Sequence, residues 1–110
     1  MSKKTDNFQA IYKILRTLEA AMDCPEFDIN EIGPEKLDVS QERRNRYVEM
    51  IADVGLVKGI RIRQNVTGST DVINEGVRIT LKGLEYLTEN SIMQRLYNAA
   101  KGVKDIVPFT

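Results

Sequence analysis

Phe8, Ile11, Tyr12, Leu15, Leu18 and Met22 recur at spacings of three and four, which places them on one face of an α-helix over Asn7–Met22. Asp6 and Gln9 have the spacing of a capping box at its start. Cys24-Pro25 ends it, because proline disfavours helical geometry in the residue before it. Gly33-Pro34 then places proline where a helix can begin, predicting a short helix over Pro34–Leu37, with Ile29 and Ile32 covering the core beside it.

A third helix is predicted over Gln41–Val54, capped by Ser40 or Asp38 and stopped by Gly55. Tyr47, Met50, Ile51 and Val54 form its apolar face, expected to pack on Leu15 and Leu18. The opposite face carries Gln41, Asn45, Val48, Glu49 and Ala52, flanked by Arg44 and Arg46, while Arg43 points toward the apolar side.

The period then changes from helical to alternating. Over Leu56–Val66, Ile60 and Ile62 fall on one side and Arg61 and Arg63 on the other, as in a half-exposed strand. Thr67-Gly68-Ser69-Thr70-Asp71 is a loop-forming run, and Val77-Arg78-Ile79 reads as the returning strand of a hairpin. Thr80 can cap a fourth helix with Leu81, Leu84, Tyr86 and Leu87 apolar. Ser91 can cap a fifth over Ile92–Ile106, ahead of the apolar tail Val107-Pro108-Phe109-Thr110. The expected fold is α+β: a winged helix-turn-helix with a three-helix core, a β-hairpin wing and one or two additional C-terminal helices. Residues 1–110 are read as a single domain, with 92–110 its C-terminal helix and tail; that length buries one core and not two.

Composition narrows the chemistry. The chain has no histidine and one cysteine, Cys24, so neither an intrachain disulfide nor a Cys/His metal set is expected. The carboxylate pairs at helical spacing, Glu31 with Glu35, Glu49 with Asp53 and Glu85 with Glu89, read as solvated faces, and no catalytic residue or cofactor is expected. Thr67-Gly68-Ser69-Thr70 lacks the lysine of a phosphate loop. The first helix is too polar for a signal segment or a membrane span, so a soluble, cytoplasmic protein is expected.

Net charge is zero but unevenly spread. Glu19 to Glu42 holds eight acids against Lys36 alone, a net −7, and Arg43 to Val66 holds six bases against Glu49 and Asp53, a net +4. A basic pole suits a phosphate-facing site. The DNA reading sends Gln41, Arg44, Asn45, Arg46 and Val48 to a major groove, with Lys58, Arg61 and Arg63 holding phosphates or a minor groove from the wing. The rival is a protein-interaction adaptor on the same fold with no nucleic-acid partner, because Glu42 and Glu49 interrupt the surface. Ile92, Leu96, Ala99 and Val103 follow the spacing of a two-helix seam and are candidates for homodimerisation; the alternative packs that stripe on the chain's own helices.

Three runs carry a resemblance: Leu37-Asp38-Val39-Ser40; Tyr47-Val48-Glu49-Met50-Ile51-Ala52-Asp53-Val54-Gly55-Leu56-Val57-Lys58-Gly59; and Ile79-Thr80-Leu81-Lys82-Gly83-Leu84-Glu85-Tyr86-Leu87. Together they resemble the small YjcQ-like proteins of Gram-positive bacteria and their phages. The resemblance implies a winged-helix fold and a bacterial or prophage source, in a family whose biochemical role is largely undefined, so it transfers no site residue. Cys24 to Lys36 looks longer than a minimal member needs, an acidic insertion able to block a nucleic-acid face near the third helix. The reading that follows from sequence is a DNA-binding transcriptional regulator.

Overall fold

The computed structural model describes residues 6–90. The expectations for Ile92–Ile106, including the dimerisation stripe Ile92, Leu96, Ala99 and Val103, lie outside them. The described chain is α+β with a winged-helix arrangement: α1 (Asn7–Ala20), α2 (Pro34–Leu37), α3 (Gln41–Asp53), β1 (Val57–Gln64), β2 (Thr70–Ile79) and α4 (Leu81–Glu89).

The capping box forms: the Asp6 carboxylate accepts from the Phe8 and Gln9 amides, and Gln9 Oε1 accepts from the Asp6 amide. After Ala20 the helix tightens into a 3-10 turn, Ala21–Asp23, and Cys24 is extended ahead of Pro25, as proline demands. A second 3-10 turn, Ile29–Ile32, leads into α2, which begins on Pro34. Asp38 closes α2 in the left-handed region at φ 60°, a conformation a short polar side chain tolerates.

Ser40 caps α3 through Arg43 N–H. At the other end Leu56 N–H reaches Ile51 O and Gly55 N–H reaches Ala52 O, the paired bonds of a Schellman stop. The buried set draws on every layer, with Tyr12, Ile14 and Leu15 from α1, Ile32 from the turn before α2, Leu37 from α2, Tyr47, Val48 and Ile51 from α3, and Val57, Val77 and Ile79 from the sheet. Ile60 and Ile62 pack partly buried against it, as their alternation predicts.

The returning strand is longer than Val77–Ile79: it starts at Thr70, so Asp71 belongs to the sheet and not to the loop. The tip is Asn65 to Ser69, closed by Asn65 N–H on Ser69 O and Gly68 N–H on Asn65 O. Lys58 faces Arg78 and Ile60 faces Asn74, so Gly59 alone opposes Glu75, Gly76 and Val77 in a bulge. A Cβ on Gly59 would lie 2.2 Å from Gly76 O, so only glycine fits there. Asn74 holds the bulge: Oδ1 accepts from the Gly76 and Val77 amides, and Nδ2 donates to Phe27 O.

The third helix is rotated from its expected facing. Met50 and Val54, placed in the core by periodicity, are 46% and 55% exposed, whereas Arg44, Asn45 and Val48, placed outside, are buried. At 100° per residue the core face has moved by roughly 80°. Val54 lies at the C-cap, beyond the last helical turn, and Arg44 and Asn45 are buried with hydrogen-bond partners in the fold.

Candidate interaction surface

The wing presents Arg61 and Arg63 outward, as predicted, but each is already engaged. Arg61 Nε lies 2.6 Å from Glu75 Oε2, diagonally across the ladder, and Arg63 Nη2 lies 2.9 Å from Asp71 Oδ2 directly opposite. The Arg63 guanidinium and then the Asn65 amide hold the Asp71 carboxyl below its ordinary range. Lys58 is exposed and opposes Arg78; among the described residues neither has an acid within ion-pair distance.

Two of the expected base readers are instead fasteners. Asn45 is 4% exposed and bridges two elements: Nδ2 donates to Thr70 O at 3.0 Å and to Thr70 Oγ1 at 3.3 Å, while Oδ1 accepts from Arg44 Nε at 2.9 Å. Arg44 also donates Nη1 to Ile32 O at 3.4 Å. Burial pushes its pKa below the usual arginine value, since the charged form loses water. Val48 is 1% exposed within the core. None of the three is presented to a groove of DNA. Of the helix residues expected to meet DNA, Gln41 and Arg46 remain exposed.

The outward face of α3 therefore consists of Gln41, Glu42, Arg43, Arg46, Glu49, Met50, Asp53 and Val54, all exposed, three acids against two bases. Beside it a groove of about 540 Å³ runs between α3 and the first turns of α1. Phe8, Ile11, Tyr47 and Met50 supply its apolar lining, and Glu42, Arg43 and Arg46 its charges. Phe8 is 59% exposed although it belongs to the apolar stripe of α1. Its place in the first turn puts it past the depth of the core. Arg43 is held there by Asn7 Oδ1 at 2.8 Å and the Tyr47 hydroxyl at 3.4 Å, and the Tyr47 hydroxyl donates to the same Asn7 oxygen.

Sequence periodicity assigned Phe8 and Met50 to the core, so it missed their exposure. The available signal was position: Phe8 is two residues after the cap, and Met50 follows Glu49 on a helix whose other apolar residues already fill one side. Among the described residues no cluster of three or more Cys, Asp or Glu is arranged to hold a metal, and no helix is long and apolar enough to cross a membrane.

A family model described as YjcQ protein matches residues 12–106. No curated protein and no solved structure matches the chain.

Proposed function

The chain belongs to the YjcQ family, and on that premise we propose that it is a binding module on a winged-helix frame whose partner is another protein. The observation that carries this reading is the exposed face of α3, where Met50 and Val54 alternate with Glu42, Arg46, Glu49 and Asp53 beside the groove that Phe8 lines. Duplex phosphate repels a surface with more carboxylates than cations. Exposed methionine and aromatic side chains ringed by charges of both signs instead suit the buried centre and polar rim of a protein interface. The ion pairs of Arg61 and Arg63 point the same way, because the wing would have to release Glu75 and Asp71 before either arginine could meet a phosphate.

DNA binding is the second reading, favoured by Gln41, Arg46 and Lys58, which stay exposed with no acid within ion-pair distance of the two bases among the described residues. One pair of experiments separates the two. Labelled duplexes from the source genome are titrated at low and moderate salt; the expected result is no shift. A shift that weakens steeply with salt, and less steeply in Arg46→Ala or Lys58→Ala, would establish the DNA reading. In parallel, immobilised wild-type protein is compared with Met50→Glu and Lys58→Ala. The protein interaction predicts a companion kept by wild type and Lys58→Ala and lost by Met50→Glu.

A further inference from the structure

A second concavity lies at the other end of α1, away from the surface just described. It is a cleft of about 530 Å³ between the end of α1, the Cys24–Phe27 loop and the bulged end of β2. Its floor is apolar: Leu18, Val77 and Ile79 are buried and line it, and Phe27 packs partly buried against the core. Asn74 laces the walls together, its amide bound to Phe27 O at 2.9 Å and its oxygen to the Gly76 and Val77 amides at 3.0 and 2.9 Å. The bulge fixes this wall, because Gly59 and Gly76 meet with no room for a side chain between them.

One cation stands at the lip. Arg78 lines the cleft, is exposed, and is steadied by Nη1 donating to Gly76 O at 2.6 Å. Directly across the strand pair is Lys58. Like charges opposite one another on a sheet repel. The other two hairpin arginines are neutralised by Glu75 and Asp71, yet these two cations have no acid in ion-pair reach among the described residues. Glu26 and Arg78 are the charged residues of the lining, and Lys58, across the strand pair from Arg78 but outside the lining, adds one positive charge in excess. The excess suits a monoanion.

We propose that this cleft binds a small carboxylate with an apolar body, its carboxylate on Arg78 and its hydrocarbon on Leu18, Val77 and Ile79. Clefts of ~300–1,000 Å³ with an apolar lining and a few polar groups are the usual size and make-up of small-molecule sites. A guanidinium at the lip sets orientation, since its fork matches the two oxygens of a carboxylate. The proposal is independent of the protein-partner reading, which concerns the α1–α3 face.

Cys24 makes the test direct, because it is the chain's one cysteine, is exposed, and lines the cleft. The rate of its alkylation by iodoacetamide is measured on the full chain with increasing decanoate below the micelle concentration, and with decanol as the neutral control. Decanoate should slow alkylation in a saturable way and decanol should do so more weakly. Arg78→Gln should raise the half-saturating decanoate concentration about tenfold, leave decanol unchanged, and be partly rescued by Arg78→Lys. Amide shift mapping should place decanoate against Phe27, Gly76 and Val77. The site is ruled out if decanoate gives no protection, as when another part of the chain fills the cleft, if decanol protects equally, or if Arg78→Gln binds decanoate as wild type does.

Discussion

Asn45 is 4% exposed, an amide buried among its own hydrogen-bond partners. On a helical wheel it is a polar side chain opposite the apolar stripe, the position of a base-reading asparagine. In the fold it joins α3 to the first residue of β2 and satisfies Arg44, whose charge is otherwise taken from water. Asn45→Ala should therefore act on stability, at a cost of roughly 1–3 kcal/mol in denaturant unfolding, because Thr70 O loses its donor and Arg44 Nε its acceptor. A variant with unchanged stability would show that water replaces both bonds. Asp71 offers a second test at this scale. Its folded-state pKa is depressed by Arg63 and then by Asn65, so the wing pair contributes fully above the ordinary aspartate range and is lost as pH falls through the lowered folded value. An NMR titration of the Asp71 carboxyl should give a value below that of a free aspartate, and Arg63→Ala should move it up. Equal values in the two proteins would mean the pair is broken in solution.

At the scale of elements, the join between the wing and α4 is the most demanding. Thr80 caps α4 through Gly83 N–H, donates its hydroxyl to Gly55 O, and places its own amide on Leu56 O. This draws the first turn of α4 against the end of the α3 stop so closely that a Cβ on Gly83 would lie 2.4 Å from Leu56 O and 2.6 Å from Ile79 Cγ1. Backbone on one side cannot yield as a side-chain tip can. Gly83→Ala, which by helix propensity alone would stabilise by ~1 kcal/mol, should instead lower the thermal midpoint by several degrees, as a loss of ~1–3 kcal/mol to overpacking does in a domain of this size. A raised midpoint would show that α4 can move away freely. The Ile79-to-Leu87 run thus has a physical basis here: a strand end, a cap and a glycine contact that each require the next.

For the whole molecule, charge counted along the chain and charge displayed in space differ. The net +4 of Arg43 to Val66 ended before the return strand, whose Asp71 and Glu75 neutralise Arg63 and Arg61. Arg44 is buried, and Arg43 is tied to Asn7 and Tyr47. The basic pole shrinks to Arg43, Arg46 and Lys58, with Arg78 added from β2, while Phe8, Met50 and Val54 give the same side of α1 and α3 an apolar character. Since Met50 is about half exposed, Met50→Glu should leave the unfolding midpoint within the small range of surface substitutions while removing the partner. A large destabilisation by that variant would mean Met50 supports the core and would remove the face as a separable interface.

What was legible in the sequence was local. The Asp6–Gln9 box, the Pro34 start, the Ser40 and Thr80 caps, the Gly55 stop and the alternation of Ile60 to Arg63 are set by contacts within three or four residues, and those contacts are fixed by helix and strand geometry alone. From them the order of elements and the winged-helix arrangement follow. Which face of α3 turns inward was a tertiary decision. Arg44 and Asn45 can be buried because Ile32 O and Thr70 O, 12 and 25 residues away, meet their side chains. The wing arginines lost their free charge in the same way, to acids 14 and 8 residues away that the hairpin brings within reach, Glu75 diagonally and Asp71 directly opposite. A polar residue's preference for water is a property of the side chain, but whether it must stay in water depends on partners that only the folded chain supplies.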